Sequence, residues 1–193
     1  MMENRTARQI RAMPTQFRAE GGNGEKRIEG YFAVFGGTYE LWSGATESVD
    51  PHAFDEALSD DIRALIDHET RLVLGRTKAS TLTLRVDNTG LWGSILINEA
   101  DSDAMNLYCR VERGDVDQCS FGFDILQETY EIKPDDSIHW TIKKVKLYEV
   151  SCVTFPAYEE TSIAARKLEY DQINKRRVES WRATMKGRIK KWH

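Results

Sequence analysis

The stretch QCSFGF, residues 118–123, decides how the rest of the sequence is interpreted. Its apolar residues predict a strand, in which successive side chains point to opposite faces. If the two phenylalanines enter the core, Ser120 and Gly122 lie on the opposite face, where the glycine leaves open space beside the hydroxyl. The stretch therefore predicts a buried strand that presents one serine next to a gap.

Short apolar runs separated by turn residues surround this strand. Asp87–Gly90 predicts a hairpin turn, because glycine tolerates the positive φ that such turns need. Helical spacing of apolar residues predicts two helices, Pro51–Leu58 and Asp101–Arg113. The strand candidates are residues 27–35, 62–66, 73–78, 80–86, 91–97, 116–130 and 137–155. The predicted fold class is α+β, mainly β, with an antiparallel β-barrel or sheet core and a few flanking helices.

The two ends of the chain differ from its middle in composition. Residues 1–26 are polar and end in a glycine-rich segment, which predicts a flexible arm, and residues 27–165 are predicted to form the folded domain. Residues 166–193 carry ten basic and three acidic residues, so they predict a basic helical tail of net charge +7 on a body of net charge −11. Such a tail is expected to meet an acidic partner, nucleic acid or the body itself.

Composition excludes several classes of protein. The chain is long enough for one domain with a core, and it has no apolar run long enough to cross a membrane as a helix. The N-terminus lacks the apolar segment of a secretory signal, so a cytosolic setting is expected. Three widely spaced cysteines argue against a disulfide framework and a zinc ribbon, and they predict reduced thiols. We expect no metal and no cofactor.

Three polar residues near apolar strands form a candidate catalytic set. A serine hydroxyl becomes a nucleophile only beside a base, which in turn needs an orienting group. Of the four histidines, His68 alone follows directly on an apolar strand that could hold it rigidly. Glu149 lies inside an apolar strand, where a carboxylate is costly unless it is bonded, and Ser151 shares its face. Ser120, His68 and Glu149 are therefore the candidate nucleophile, base and orienting residue.

The backbone near the candidate serine is the expected place for substrate. Gly122 and Phe121 are the candidate oxyanion and substrate-adjacent residues, because a backbone N–H there could stabilise an oxyanion. Cys119 is a rival nucleophile, but alternation places it inside with Phe121. A metal site from residues 67–69 is disfavoured, since no second histidine or cysteine pair stands at ligand spacing.

Each candidate also has an ordinary structural explanation. Ser120 could be a strand serine beside a bulge glycine. His68 could be a histidine at the end of a loop, bonded to one of the acids on either side of it. Glu149 could pair with a nearby lysine or arginine, or face water. The residues alone leave both interpretations open.

Seven short segments follow one another along the chain in a fixed order, namely Glu29–Phe35, Val49–Phe54, Asp67–Glu69, Leu74–Arg76, Asp87–Leu91, Ser120–Phe123 and Leu147–Ala157. In this order they resemble the prohead (procapsid maturation) proteases of tailed phages, which are related in fold to the herpesvirus assemblin proteases. Each segment is short, and their order and spacing make the resemblance specific. His52 stands where the family usually has glycine, and Asp67 where it often has asparagine.

The resemblance implies a serine endopeptidase with Ser120 as nucleophile and His68 as general base, and Glu149 fits the variable third place. It implies cleavage of capsid or scaffold protein segments, and of the protease itself, in the host cytoplasm inside the immature procapsid. It also implies a possible homodimer, no membrane association and no specific nucleic-acid binding. A tail of this kind could target the shell or be removed. The alternative is a non-catalytic capsid-associated scaffold protein with a basic tail.

Overall fold

The computed structural model describes residues 9–14, 18–22, 24–155 and 160–190 of the chain. The chain divides into two compact units, Met1–Tyr158 and Glu159–His193. The strands of the described ranges are β1 (Gln9–Pro14), β2 (Arg18–Gly22), β3 (Glu25–Val34), β4 (Tyr39–Trp42), β5 (Ala45–Val49), β6 (Arg63–Ile66), β7 (Glu69–Arg76), β8 (Leu82–Val86), β9 (Gly90–Leu96), β10 (Gln118–Ile132) and β11 (Ile138–Val153). The helices are α1 (Ser102–Arg113) and α2 (Glu160–Lys190), with short 3-10 turns at Ala57–Ser59 and Thr77–Ala79.

The first unit is built from two sheets. A seven-stranded sheet has the order β1-β10-β11-β5-β4, with β6 pairing both β11 and β7, and a four-stranded sheet has the order β2-β3-β9-β8. The mainly β, α+β class is therefore confirmed. The barrel prediction is wrong for the described residues, because neither sheet closes on itself. The seven-stranded sheet is also mixed rather than antiparallel, since β11 pairs in parallel with β5 along its first part and with β6 along its last.

The long hairpin of β10 and β11 forms the middle of the larger sheet. The Phe121 and Phe123 rings stack with centroids 4.7 Å apart, and Phe54 meets Phe121 edge-on at 5.5 Å. All three side chains are fully buried, and each contributes about 1.5–3 kcal/mol through burial. The two strand phenylalanines thus lie in the core, as the alternation predicts, and Ser120 is left on the opposite face.

Helix α1 follows the signals of its sequence. The Asp101 carboxylate accepts hydrogen bonds from the backbone N–H groups of Asp103 and Ala104, and Gly114 ends the helix with a φ of 83°. The helix predicted at Pro51–Leu58 is wrong, since this segment forms turns that end in the 3-10 turn Ala57–Ser59. The Asp50 carboxylate accepts from the backbone N–H of His52, a local bond that favours a turn.

Residues 1–26 are predicted above as a flexible arm, whereas residues 9–14 and 18–22 within them form β1 and β2. β1 pairs antiparallel with β10 over its whole length, and β2 pairs with β3. The first described strand is therefore part of the larger sheet, beside the strand that carries Ser120.

The second unit consists of α2, one helix that begins before the predicted start of the basic tail. Several of its large apolar side chains are exposed, namely Leu168, Val178, Trp181 and Met185. No helix in the described parts of the chain is both long and apolar enough to cross a membrane.

Candidate active site

His68 lies in the two-residue turn of the β6–β7 hairpin, where Ile66 pairs with Glu69. Both turn residues have positive φ, 46° at Asp67 and 62° at His68, as a type I′ hairpin turn requires. Outside glycine and asparagine this conformation costs on the order of 1–3 kcal/mol, so it persists only where the surroundings enforce it. The turn therefore fixes the imidazole at the end of the β6–β7 strand pair.

Asp67 ties this turn to the end of β11. Its carboxylate accepts hydrogen bonds from the Thr154 backbone N–H at 2.7 Å and from the Thr154 hydroxyl at 3.2 Å. Its own backbone N–H donates to the carbonyl of Cys152 at 3.0 Å. These three bonds hold the strained turn in place, and with it the imidazole that follows.

Glu149 is the hydrogen-bond partner of this imidazole. The carboxylate is 1% exposed, and its Oε1 lies 2.7 Å from Nδ1 of His68. Its Oε2 accepts a hydrogen bond of 2.6 Å from the hydroxyl of Ser151, so the shared face predicted for these two residues is confirmed. A carboxylate can only accept, so the proton of a neutral His68 ring is on Nδ1 and its Nε2 carries the lone pair.

The second ring nitrogen of His68 is open. Nε2 is buried and has no hydrogen-bond partner in the described structure, although the side chain as a whole is 15% exposed. A buried acceptor without a partner is rare, and such atoms are typical of functional sites. His68 thus has a buried ring nitrogen that makes no hydrogen bond, on the side of the ring away from the acid that orients it.

Ser120 lies on the same face of the sheet as this pair. It is directly opposite Ser151 in the antiparallel ladder, and Gly122 is opposite Glu149. Side chains directly opposite each other share a face, with Cβ atoms about 4.5–5.5 Å apart. The Ser120 hydroxyl is fully buried and donates to the backbone carbonyl of Arg11 at 2.8 Å. The register therefore places Ser120 on the face of the sheet that carries Ser151 and Glu149, with its hydroxyl bonded to the neighbouring strand β1.

The candidate substrate-adjacent residues contribute backbone only. The Phe121 side chain is in the core, and Gly122 has no side chain, so what both offer to this face is main chain. The pairing register shifts between Gly122 and Phe123, a bulge that interrupts the ladder. Cys119 lies on the core side, where its thiol donates to the carbonyl of Tyr31, and burial raises the pKa of the Cys152 thiol opposite it. Neither thiol is placed to act in the site.

The other described histidines are bonded differently. Both ring nitrogens of His139 lie 2.8 Å from hydroxyls, those of Thr46 and Ser48, and burial together with the charge of Lys133 lowers the pKa of this imidazole. The side chain of His52 is 82% exposed. His52 also has a carboxylate on one nitrogen, since its Nδ1 lies 3.0 Å from Oδ2 of Asp55, but this pair is exposed. Among the histidines that the structure describes, His68 is the one with a buried carboxylate on Nδ1 and a buried Nε2 that has no hydrogen-bond partner. His193 lies outside the described residues.

A second buried carboxylate on this sheet was missed by sequence reasoning. Glu47 on β5 is fully buried, and its Oε1 lies 2.5 Å from Nε of Arg11 on β1. The guanidinium carbon of Arg11 is 5.8 Å from the centroid of the Phe123 ring. Alternation could have found the acid, because Ala45, Glu47 and Val49 all point inward along β5. No metal-binding group of three or more His, Cys, Asp or Glu occurs among the described residues.

The sequence matches the family of caudovirus prohead serine proteases over residues 13–176. The chain belongs to this family. It is 31% identical over 165 residues to the prohead protease of Enterobacteria phage HK97, and the alignment covers 83% of this chain and 69% of that protein. No solved structure matches. As a prohead serine protease, the protein is a serine peptidase of bacteriophage capsid maturation. The relation to the herpesvirus assemblin proteases stays a prediction.

Proposed function

We propose that this prohead protease cuts capsid or scaffold protein segments inside the immature procapsid, in the host cytoplasm, with Ser120 as nucleophile, His68 as general base and Glu149 as orienting acid. The main support is the 2.7 Å bond between Glu149 and Nδ1 of His68, which leaves Nε2 buried and open. The position of Ser120 opposite Ser151 puts a hydroxyl on the same face. Because the family consists of serine peptidases, the non-catalytic scaffold alternative is set aside.

The reaction begins when the Ser120 hydroxyl turns from the Arg11 carbonyl to His68. A hydroxyl has one proton, so it cannot donate to both acceptors, and the change requires a rotation between staggered side-chain positions. Nε2 then takes the proton as Oγ attacks a peptide carbonyl carbon, and Glu149 stabilises the imidazolium. Nε2–H gives the proton to the leaving amine, and water releases the acyl group by the same route in reverse.

Main-chain groups next to the serine are the proposed oxyanion donors. Phe121 and Gly122 directly follow Ser120 and are paired with both β1 and β11, and the pairing register shifts directly after Gly122. Their backbone N–H groups are assigned to the oxyanion because they are the main-chain donors that follow the nucleophile in the chain. A single oxyanion donor is worth on the order of 100- to 1,000-fold in rate.

Co-expression with the capsid protein of the same phage tests the proposal. Wild type should process the capsid protein, whereas Ser120→Ala and His68→Gln should leave it intact. His139→Gln is the matched control, because a glutamine can replace the two hydroxyl contacts of that imidazole and processing should continue. Equal processing by wild type and Ser120→Ala would overturn the proposed nucleophile. Processing by His68→Gln but not by His139→Gln would overturn the proposed base.

A further inference from the structure

Strand β1 occupies the edge of β10 that carries the candidate nucleophile. The two strands are antiparallel, with Gln9 opposite Phe123, Ala12 opposite Ser120 and Pro14 opposite Gln118. Adding an extended peptide to an exposed strand edge is a common mode of peptide recognition, in which the main chain gives affinity and pockets give specificity. A six-residue segment of this chain is therefore bound where a substrate strand would bind.

The main chain of β1 meets the nucleophile at one carbonyl. The hydroxyl of Ser120 donates to the carbonyl oxygen of Arg11 at 2.8 Å, so the Arg11–Ala12 peptide bond lies against it. Ser120 is fully buried in this arrangement. No peptide from outside can reach the hydroxyl while β1 is in place. The strand is therefore either the substrate of this serine or an obstacle to every other substrate.

The Arg11 side chain enters a pocket that is built for a cation. It is 5% exposed, its Nε is 2.5 Å from the buried Glu47 carboxylate, and its guanidinium lies 5.8 Å from the Phe123 ring centroid. A buried carboxylate is strongly unfavourable unless a cation pairs with it, and arginine suits such a place because its planar fork bonds carboxylates and packs on aromatic rings. The acid belongs to the fixed sheet, whereas this cation belongs to the bound strand.

We propose that Glu47 and Phe123 form the pocket that selects arginine in the substrate residue whose carbonyl faces Ser120, and that residues 9–14 are its first, intramolecular substrate, cut between Arg11 and Ala12. This inference rests on the proposed function, because it uses the same nucleophile. Self-cleavage then opens the part of the β10 edge that residues 9–11 covered, together with the Glu47 pocket, to an arginine of a capsid or scaffold segment.

The intramolecular step consumes one water. Ser120 Oγ forms an ester with the Arg11 carbonyl carbon, its proton passes to Nε2 of His68, and the Arg11–Ala12 bond breaks as the Ala12 amine takes that proton. Water then attacks the ester through the same imidazole. This restores the serine hydroxyl and releases residues 1–11 with a carboxylate on Arg11, while Ala12 becomes the new N-terminus.

A set of four full-length chains tests the pocket: wild type, Arg11→Met, Glu47→Gln and the double variant. The rate of loss of residues 1–11 is followed by intact mass spectrometry, with Ser120→Ala as the inactive chain. Wild type should be cut about ten times faster than Arg11→Met or more, and the ratio should fall to about one in the Glu47→Gln pair. Comparing the two residues at position 11 within one background keeps the effect of Glu47→Gln on folding out of the ratio.

Two further chains guard against a folding defect. Arg11→Lys keeps the charge but not the fork, so it should be cut at an intermediate rate, and circular dichroism should show all variants folded. Arg18→Met removes an exposed arginine of β2 and should be cut at the wild-type rate. Cut sites in co-expressed capsid protein, read by N-terminal sequencing, should follow arginine.

The results that would contradict the arginine pocket differ from those that would contradict the proposed function. Capsid processing that depends on Ser120 but comes with no cut after Arg11, or with an Arg-to-Met ratio that Glu47→Gln leaves unchanged, overturns the pocket and leaves the proposed function standing. A cut after Arg11 that persists in Ser120→Ala is made by another protease and overturns the intramolecular step. A wild-type chain that processes neither itself nor capsid protein overturns the proposed function and this inference with it.

Discussion

Two glutamates are buried in the same sheet, and their partners have different chemistry. Glu149 on β11 is bonded to an imidazole, which can be neutral or charged, and to the hydroxyl of Ser151. Glu47 on β5 is bonded to the guanidinium of Arg11, which is always charged. A partner that gains and loses a proton suits catalysis, whereas a permanent cation suits recognition. Burial of an acid therefore does not by itself identify a catalytic residue, because the chemistry of its hydrogen-bond partner decides between catalysis and recognition.

The elements that hold the two partner residues, His68 and Arg11, differ as well. His68 is held by a turn within the folded body, pinned through Asp67 to the end of β11. Arg11 lies on β1, an edge strand whose partner among the described strands is β10. The imidazole is therefore held within the folded body, whereas the guanidinium belongs to an edge strand, which we propose that another extended peptide replaces. Substitutions at the two sites should therefore have separable effects on cleavage and on stability.

Glu149→Gln should slow every cut by about 10,000-fold, because a glutamine amide can donate to Nδ1 and so favour the wrong tautomer of His68. Glu47→Gln should slow only cuts that follow arginine. The check is the rate of self-cleavage in chains that carry arginine or methionine at position 11. If Glu149→Gln changed only the preference at position 11, the roles assigned to the two acids would be reversed.

Arg11→Met should destabilise the uncut chain by about 3–5 kcal/mol, because it leaves the buried Glu47 carboxylate without its cation. The measurement is denaturant unfolding in the Ser120→Ala background, where β1 stays attached. Adding Glu47→Gln should recover much of the loss, since the uncompensated charge is then gone. Equal instability of the single and double variants would show that Arg11 stabilises the chain by packing rather than by charge.

Substitutions in the turn that holds the candidate pair of His68 and Glu149 should change cleavage and stability less than substitutions of Glu149 or of the Arg11–Glu47 pair. Asp67→Ala removes the bonds to Thr154 and leaves an alanine at a φ of 46°, so the free energy of unfolding should fall by about 1–3 kcal/mol and cleavage should slow. Asp67→Asn should be milder, because asparagine tolerates this conformation and its carbonyl oxygen can accept the same backbone bond. Both variants are compared in cleavage rate and in unfolding. An alanine variant with the wild-type rate would show that His68 does not depend on this bond.

The candidate catalytic set could be proposed from the sequence because Ser120 and Glu149 are polar residues within apolar strands and His68 closely follows another apolar strand. Alternation along β10 and β11 separates Phe121 from Ser120 and puts Glu149 and Ser151 on one face, and those assignments need only neighbouring residues. The turn at Asp67 and His68 directly follows a recognisable strand. Local pattern therefore identifies which face a side chain joins and which element carries it.

What the sequence could not predict depends on contacts between distant segments. β1 is short, ends in a proline and forms through pairing with a strand more than a hundred positions away, so residues 9–14 look like an arm when taken alone. The barrel prediction is wrong for a similar reason. β5 and β6 both pair with one edge of β11 in an open sheet, and the local sequence of these strands does not indicate which strands pair. The pocket of Glu47 was missed because its cation is on β1, which was not expected to be a strand.

A partly exposed ion pair at the open end of the β6–β7 hairpin should give the smallest effect and the clearest pH dependence. Hydrogen bonds from Arg76, at 2.7 Å and 2.5 Å, lower the pKa of Asp61 from 3.8 to about 2. Because the folded-state pKa is the lower one, the stability from this pair is complete above about pH 4 and is lost as the pH falls towards 2. Asp61→Asn should remove this part of the acid sensitivity, whereas the exposed neighbour variant Asp60→Asn should retain it. The measurement is the free energy of unfolding between pH 2 and pH 5 in all three chains.

Since the pair is open to solvent and salt, its removal should leave the bond between His68 and Glu149, and therefore the cleavage rate at neutral pH, close to wild type.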